Sequence, residues 1–518
     1  MGIIPGPPGP AKPPAAPLSL SPVEPGRAEF YRHKLPMTPP TAAASSRPAT
    51  GTVASTARAA GLTPRELAGR LAGLSLGQQV FVLAIWPFFE QLLNFLVTYV
   101  DLIMAGHLGS QAVPATNAIA VGGYVEWLIG LVQSAVGIGS TALIARAVGG
   151  RHKRLANSAL GQSVILALAG GLVMGAFVFT AAPWIAGFTR LSGQSLTFCT
   201  QYLRIIAAAA PMSAVIFVGG SCLRGSGDTR TPFLVLVVVN LINSTLTYTF
   251  VRAPAPLGGH EVAGIAAGTF VAYVVGAILM ATVLFQGWGG IRLYWHRLRP
   301  HWHTARRIIA VGLPSMAEMF FGMWIANFIV LRIVGSLHQS DAWGAHMIAI
   351  RAEAISYMPG FALGIAAATL CGQYLGLGDP RRARHAVILC WRAGMVVMGS
   401  MGLFFIIAPW VMVRIATNNA ALLAASPMLL RTTGFVQIFF ASAIVLGQAM
   451  RGAGDTRATM TMTALSTYGL RLPLAYLLGV YFGGGLEGVW LGLCGELTFR
   501  GLLFTGRFLH GGWMRARV

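Results

Sequence analysis

The chain has 518 residues, of which 55% are hydrophobic and only 10% are charged, and it carries a formal net charge of +22. This apolar composition excludes an ordinary soluble protein and indicates a membrane protein that crosses the bilayer several times. A large positive charge is also found in nucleic-acid-binding proteins, but in a membrane protein its meaning depends on which loops carry it.

Residues 1–75 differ from the rest of the chain, with thirteen prolines in the first fifty positions and alanine and serine between them. Such a segment cannot bury enough apolar surface to fold, so we predict a disordered cytoplasmic extension. It lacks the uninterrupted apolar core of a secretory signal peptide. The stretch TPRELAGRLAGLSL, which begins at Thr63, predicts a short amphipathic helix on the inner membrane surface.

Twelve mostly apolar stretches of about 20 residues follow, each long enough to cross the bilayer as a helix. They predict an amino-terminal six-helix bundle at 76–286, a basic cytoplasmic linker at 287–306 and a carboxy-terminal six-helix bundle at 307–506. A basic cytoplasmic tail at 507–518 completes the chain. The predicted spans are approximately 79–105, 119–142, 160–186, 203–222, 232–252, 262–285, 308–335, 346–371, 387–412, 429–449, 459–482 and 486–506.

The two bundles are an internal repeat. LRGSGDTR at 223–230 returns as MRGAGDTR at 450–457, which is 227 positions later, and the same offset pairs Glu126 with Glu353 and Gly149 with Gly376. A repeat at a fixed offset indicates two halves with one architecture. Because each half has an even number of spans, both enter from the same side. We therefore predict a pseudo-two-fold axis along the membrane normal.

The basic residues lie mainly in loops on one side of this topology. Positive loops remain in the cytoplasm, so both termini are predicted there, in a multi-pass protein of the cell inner membrane. Nucleic-acid binding is then not needed to explain the charge. The loop residues are Arg151, Lys153, Arg154, Arg292, Arg297, Arg299, Arg306, Arg307, Arg381, Arg382 and Arg384, together with the two arginines of each octapeptide.

Several kinds of chemistry have no motif in this chain. The five cysteines show no paired spacing, which argues against disulfides and zinc. No phosphate-binding loop followed by Lys-Ser or Lys-Thr is present, so an internal ATPase and a bound cofactor are not expected. Any active transport would therefore draw on an ion gradient or on a partner.

The sequence resembles the multidrug and toxic compound extrusion (MATE) transporter family over about residues 79–506. Both octapeptides resemble that family's RGxGDT loop, and WPFFEQLLNFLVTYVDLIMAGHLG at 86–109 and GQYLGLGDPRRAR at 372–384 are further matches. The resemblance implies an antiporter that exports organic, commonly cationic, compounds in exchange for protons or sodium ions. The arginines of the octapeptides are expected at the lipid headgroups, and Thr231 before Pro232 is expected to cap span five.

Acidic residues at membrane depth are the main functional candidates, because an acid near the bilayer centre costs roughly 2.5–3.5 kcal/mol on insertion scales. A carboxylate there binds either a proton or a cation, and that competition is the elementary step of an antiporter. We expect these acids to face the space between the bundles. The six acids are Glu90, Asp101, Glu126, Glu318, Glu353 and Glu496.

The resemblance implies the cation-coupling residues. Asp101 matches the family's first-helix aspartate and is a possible sodium ligand, and Asn243 matches its neighbour in the same half. Many bacterial relatives have a second aspartate four residues after this asparagine, where this chain has Thr247. Asn243 and Thr247 share a helix face and would offer neutral oxygens to Asp101. The alternative for Asp101 is a solvated side chain at the outer end of span one.

In the second half, Glu318 matches the family glutamate of span seven and is assigned to coupling or, alternatively, to a protonated hydrogen bond between helices. Some members pair this glutamate with an aspartate in span ten, where this chain has no aspartate and offers Gln437 as a neutral substitute. We predict that Glu90, Glu126, Glu353 and Gln437 bind substrate, with aromatic neighbours for a cationic group. The alternative is structural pairing, in which Arg351 or Arg471 neutralises Glu353 or Glu318.

We therefore predict an all-α, monomeric exporter of about twelve helices that works by alternating access on a small organic substrate and a coupling ion. The alternatives are a lipid-linked precursor flippase and, less favoured, a membrane-embedded enzyme or receptor. A flippase would need extra spans and a basic cavity. The sequence leaves open the substrate, the choice between proton and sodium, and the role of the proline-rich extension.

Overall fold

The computed structural model describes residues 67, 69–106, 108–189, 191–254, 258–259, 261–337, 342–417 and 419–516. Within these ranges, the side chains of 97–102, 110 and 416 are not described. The predicted extension therefore lies almost entirely outside the described residues, as does the side chain of Asp101. The described chain is helical and has no β-strand.

The first half contains six long helices. Each contains one of the predicted spans and extends beyond it at one or both ends, because the polar end residues that the hydropathy pattern leaves out continue the helix into the loops. The helices are α1 (Leu76–Gly106), α2 (Ala112–Gly149), α3 (Lys153–Phe188), α4 (Gly193–Ser226), α5 (Arg230–Arg252) and α6 (Glu261–Gln286).

The second half repeats this order with more interruptions. Its long helices are α7 (Trp302–Gly335), α8 (Ala342–Gly376), α9 (Pro380–Ile407), α10 (Ala420–Ala453), α11 (456–481) and α12 (Gly485–His510). Two of them contain π-helical turns, α7 at Phe320–Ile325 and α11 at Thr467–Arg471 and Leu477–Tyr481, and a short helix, Pro409–Ala416, follows α9. Ten helices in the described chain are long and apolar enough to cross a membrane. The last two predicted spans lie in the long helices α11 and α12, which are less apolar and fall outside these ten.

The two halves are in close backbone contact where α2 crosses α8. A Cβ atom at Gly149 would lie 1.9 Å from the carbonyl oxygen of Gln373, and one at Gly376 would lie 2.1 Å from the carbonyl oxygen of Arg146. Gly149 and Gly376 are repeat mates, so each half supplies the same glycine to the crossing. Small residues allow two membrane helices to touch through their backbones, which explains why this pair recurs.

Both octapeptides form the same turn. Gly227 and Gly454 end α4 and α10 in the left-handed region, with φ of 97° and 87°. The backbone N–H of Asp228 donates to the Leu223 carbonyl at 2.9 Å, and the repeat-related N–H of Asp455 donates to Met450 at 2.9 Å. These are Schellman turns, which need a glycine at the left-handed position. We call the end of the molecule that contains both turns the octapeptide end.

The prediction that Thr231 caps span five is wrong. Helix α5 begins at Arg230, and the carboxylate of Asp228 accepts hydrogen bonds from the backbone N–H and the hydroxyl of Thr231 at 3.1 and 2.7 Å. An aspartate is a stronger acceptor for a free helix N–H than a threonine hydroxyl, so it takes the capping role.

Candidate functional site: paired carboxylates and the contacts between the halves

Glu318 lies in α7 and is only 3% exposed. Its Oε1 accepts a hydrogen bond from Arg451 Nη2 at 2.6 Å and another from the Thr463 hydroxyl at 2.7 Å. Its Oε2 accepts from Arg451 Nε at 3.3 Å and from the Thr459 hydroxyl at 2.9 Å. Four hydrogen bonds therefore stabilise a carboxylate that burial alone would destabilise.

Glu90 forms the related pair in the first half. Arg224 Nη1 donates to its two carboxylate oxygens at 3.0 and 3.1 Å, and Arg224 Nη2 donates to the Ser221 hydroxyl at 3.1 Å. Arg224 and Arg451 are the same position of the two octapeptides, so the repeat places an ion pair of this arginine inside each half. The Glu90 side chain is 19% exposed, which makes this pair the more accessible one.

These contacts correct three predictions from the sequence. The first arginine of each octapeptide does not extend to the lipid headgroups but points into its own half. The partner of Glu318 is Arg451 rather than Arg351 or Arg471. Glu318 also lies inside the second half and not in the space between the bundles, because both hydroxyls that bind it, those of Thr459 and Thr463, come from α11.

Hydrogen bonds link each octapeptide turn to the opposite half. Gln373 in α8 donates to the Gly225 carbonyl at 3.0 Å, and Arg146 in α2 donates to the Ala453 carbonyl at 2.8 Å. Arg146 and Gln373 are themselves repeat mates. The Thr369 hydroxyl adds a bond to the Arg224 carbonyl at 3.0 Å. The two halves are therefore closed against each other at the octapeptide end.

The segment before α1 also contacts both halves. Arg70 Nη1 bonds to Asp228 at 2.5 Å, whereas Leu67 and Leu71 are buried in an apolar cluster built mainly from second-half residues. The region predicted as a surface helix thus includes a 3-10 turn, Gly69–Leu71, that packs into the protein. In the second half, Asp455 binds Arg507 of α12 at 2.8 Å.

The predicted amino-terminal coupling residues lie near one another where they are described. The Asn243 Oδ1 accepts hydrogen bonds from the hydroxyls of Thr269, at 3.1 Å, and Thr247, at 3.4 Å. All three residues are buried. The side chain of Asp101 lies outside the described residues, so its contact with Asn243 stays a prediction.

The residues predicted to bind substrate occupy different environments. Glu126 is partly exposed and accepts a hydrogen bond from the Tyr202 hydroxyl at 3.1 Å, and its repeat mate Glu353 is also partly exposed. Gln437 is fully buried, and its Oε1 accepts from Ser356 at 3.2 Å. Arg471 donates to Asn327 at 3.2 Å. Glu126 and Glu353 are therefore more accessible than Gln437.

Glu496 is the one of the six acids predicted at membrane depth that has no assigned role. It is fully buried in α12, where Arg500 Nε donates to its Oε1 at 2.6 Å, so it lies inside the second half and not between the bundles. Among the described residues there is no group of three or more histidines, cysteines, aspartates or glutamates that would hold a metal ion.

Two homologous helical halves, membrane-length helices and buried carboxylates near a closed junction define a polytopic membrane transporter. The MatE family model matches the chain twice, at residues 87–249 and 314–477. The chain therefore belongs to the MATE family of transporters, and it is not an enzyme. The two matches begin 227 positions apart, which is the offset of the repeat.

Relatives match most of the chain. The probable multidrug resistance protein NorM of Thermotoga maritima is 28% identical over 443 residues, which cover 85% of this chain and 94% of the relative. The multidrug resistance protein PmpM of Pseudomonas aeruginosa is 26% identical over a region that covers 81% of this chain and 88% of the relative. A solved MOP superfamily transporter from Pyrococcus furiosus shares the fold, with a TM-score of 0.79 and 20% identity over 86% of this chain and 98% of that chain.

Proposed function

We propose that the protein is a secondary antiporter that exports small organic compounds, typically cations, across the cell inner membrane in exchange for protons or sodium ions. Its similarity to NorM and PmpM, which are named multidrug resistance proteins, supports export of this kind of substrate. The asymmetric distribution of basic loops supports an orientation with both termini, and therefore the octapeptide end, in the cytoplasm.

The observation that carries the proposal is the buried ion pair of Glu318 and Arg451. Arg451 belongs to the second octapeptide, which also closes the two halves against each other. Neutralising the Glu318 carboxylate, by a proton or by a sodium ion that displaces the arginine, removes the partner of Arg451. Arg451 lies two residues before Ala453, whose carbonyl binds Arg146 of the other half. Ion binding at Glu318 would thus weaken the closed end and favour the state that is open to the cytoplasm.

Glu90 would act in the same way on the first octapeptide, and Asp101, Asn243 and Thr247 would form a second ion site. Glu126 and Glu353 are proposed to bind the cationic part of a substrate, because they are repeat mates and remain partly exposed. An ion or a substrate shifts the equilibrium between the two states only by its different affinity for each of them.

The test is efflux of a fluorescent organic cation from proteoliposomes under separate proton and sodium gradients. The wild type is compared with Asp101→Asn, Glu318→Gln and, as a matched control, Glu487→Gln, which removes an exposed carboxylate at the start of α12. We expect gradient-driven efflux in the wild type and the control and its loss in Glu318→Gln. Efflux that is unchanged when both gradients are collapsed would refute antiport. No efflux of cations or anions, with movement of a lipid-linked precursor, would favour the flippase.

A further inference from the structure

A cavity of about 510 Å³ lies at the octapeptide end of the first half. Four separate segments line it: the turn before α1 with Arg70, the α2–α3 turn with Arg151 and Lys153, the octapeptide with Asp228, and a glycine turn after α6. Its volume lies within the range of about 300–1,000 Å³ that is typical of small-molecule sites.

The described residues that line the cavity carry more positive than negative charge. Among them Asp228 is the one acid, and it is only 1% exposed, because its carboxylate is occupied by Arg70 and by the backbone and hydroxyl of Thr231. Arg151 and Lys153 are exposed. The glycine turn opposite, Gly289–Gly290, brings backbone without side chains to the cavity. This lining is suited to an anion.

Arg151 has a left-handed backbone conformation, with φ of 59°. Its repeat mate in the second half is Gly378, with φ of 80°, so the fold requires this conformation in both turns. An L-residue other than glycine pays about 1–2 kcal/mol for it. The first half thus has a strained arginine at a position where the second half has an unstrained glycine. Such backbone strain is typical of a functional position.

The two positions after Arg151 also differ from their repeat mates, which stabilise the turn of the second half. In the second half, Asp379 caps α9 by accepting the Arg382 backbone N–H at 2.9 Å, and Pro380 follows. The first half has His152 and Lys153 at these positions, and His152 makes no side-chain cap bond. The first turn therefore lacks both the acidic cap and the glycine that stabilise its repeat, and instead places two cationic side chains at the cavity.

We propose that this cavity is a binding site for the phosphate group of an anionic ligand, held by Arg151 and Lys153. An arginine binds two phosphate oxygens at once, and a lysine adds a point charge. The phosphate group can belong to a soluble phosphate compound or to an anionic lipid headgroup. This proposal is independent of the antiport proposed above.

The test is thermal unfolding of the purified full-length protein in a neutral detergent at constant ionic strength. The probes are inorganic phosphate, dioctanoyl phosphatidylglycerol and, as a zwitterionic control, dioctanoyl phosphatidylcholine. The test variant, Arg151→Gly with Lys153→Gln, is compared with Arg381→Gln with Arg384→Gln, which removes two exposed charges from the related loop of the second half. Arg151→Lys with Lys153→Arg keeps both charges.

We expect a saturable rise in the melting temperature of the wild type, and a half-saturating concentration at least about tenfold higher in the test variant, as for the loss of charge-assisted hydrogen bonds. The control and charge-keeping variants should respond like the wild type. A response to inorganic phosphate identifies a soluble ligand, and a response to phosphatidylglycerol alone identifies the lipid headgroup. No response of the wild type to either probe, an unchanged response of the test variant, or an equal loss in the control would overturn the proposal.

Discussion

The pair of Glu318 and Arg451 gives the sharpest quantitative prediction. Glu318→Gln keeps a side chain that can still bind Thr459 and Thr463, but it leaves the Arg451 guanidinium without its counter-charge. The two side chains are 2% and 11% exposed. Removing one partner of a buried ion pair typically costs about 3–5 kcal/mol, because the remaining charge stays desolvated.

The assay is thermal unfolding in detergent, with a double-mutant cycle. Glu318→Gln and Arg451→Met should each lower the melting temperature strongly, and the double variant should recover much of the loss because no uncompensated charge remains. Glu90→Gln is the matched comparison, since Glu90 is 19% exposed and Arg224 retains its bond to Ser221. We expect a smaller decrease there. Equal decreases for Glu90→Gln and Glu318→Gln, or a double variant that is less stable than both single variants, would refute the reasoning.

Three further predictions concern the closed end. Gly149→Ala should abolish transport in the proteoliposome assay, because its Cβ would lie 1.9 Å from a carbonyl oxygen of the other half, whereas Gly130→Ala in the same helix meets nothing within 4 Å and should be active. Gly227→Ala should lower the melting temperature through a left-handed strain of about 1–2 kcal/mol, and Gly187→Ala, which has open space, should not. Arg70→Gln should increase hydrogen exchange of the backbone amides of residues 225–231, in and just after the first octapeptide, with no change in exchange of the related amides 452–458.

The sequence predicts the architecture because its signals are local or repeat at one offset. Hydropathy places the twelve helices, and the pairing of Gly149 with Gly376 indicates a shared feature that the structure explains as a backbone contact. The additional residues at the helix ends are polar or small, so hydropathy does not include them. The breaks in α7 and α11 are π-helical turns, and no glycine or proline pattern specific to such turns marks them in the sequence.

The ion pairs could not be predicted in the same way. Arg224 is 134 positions from Glu90, and Arg451 is 133 positions from Glu318, so no helical spacing connects the partners. Arginines in a turn between spans are normally assigned to the membrane surface. One signal was present in the sequence: both octapeptides contain the same arginine, and an acid follows the first proline of each half by three or four residues.

The contacts of the octapeptide explain why this segment, among all loops, recurs almost unchanged. Its arginine side chain is needed inside its own half, for Glu90 or Glu318. The glycine that follows is needed for close packing, since a Cβ at Gly225 would lie 3.0 Å from the Thr141 carbonyl oxygen and one at Gly452 would lie 2.4 Å from that of Ala368, the repeat mate of Thr141.

The second glycine of the octapeptide turns the chain, and the aspartate after it binds an arginine from outside the turn, Arg70 in one half and Arg507 in the other. Near the ends of α4 and α10, two backbone carbonyls accept hydrogen bonds from the opposite half. Gln373 donates to the carbonyl of Gly225, and Arg146 donates to that of Ala453. One short segment thus contains both the partner of a buried carboxylate and the contact that closes the two halves. We therefore expect a change of charge on that carboxylate to affect the junction directly, because at most two residues separate the arginine from the carbonyl that binds the opposite half.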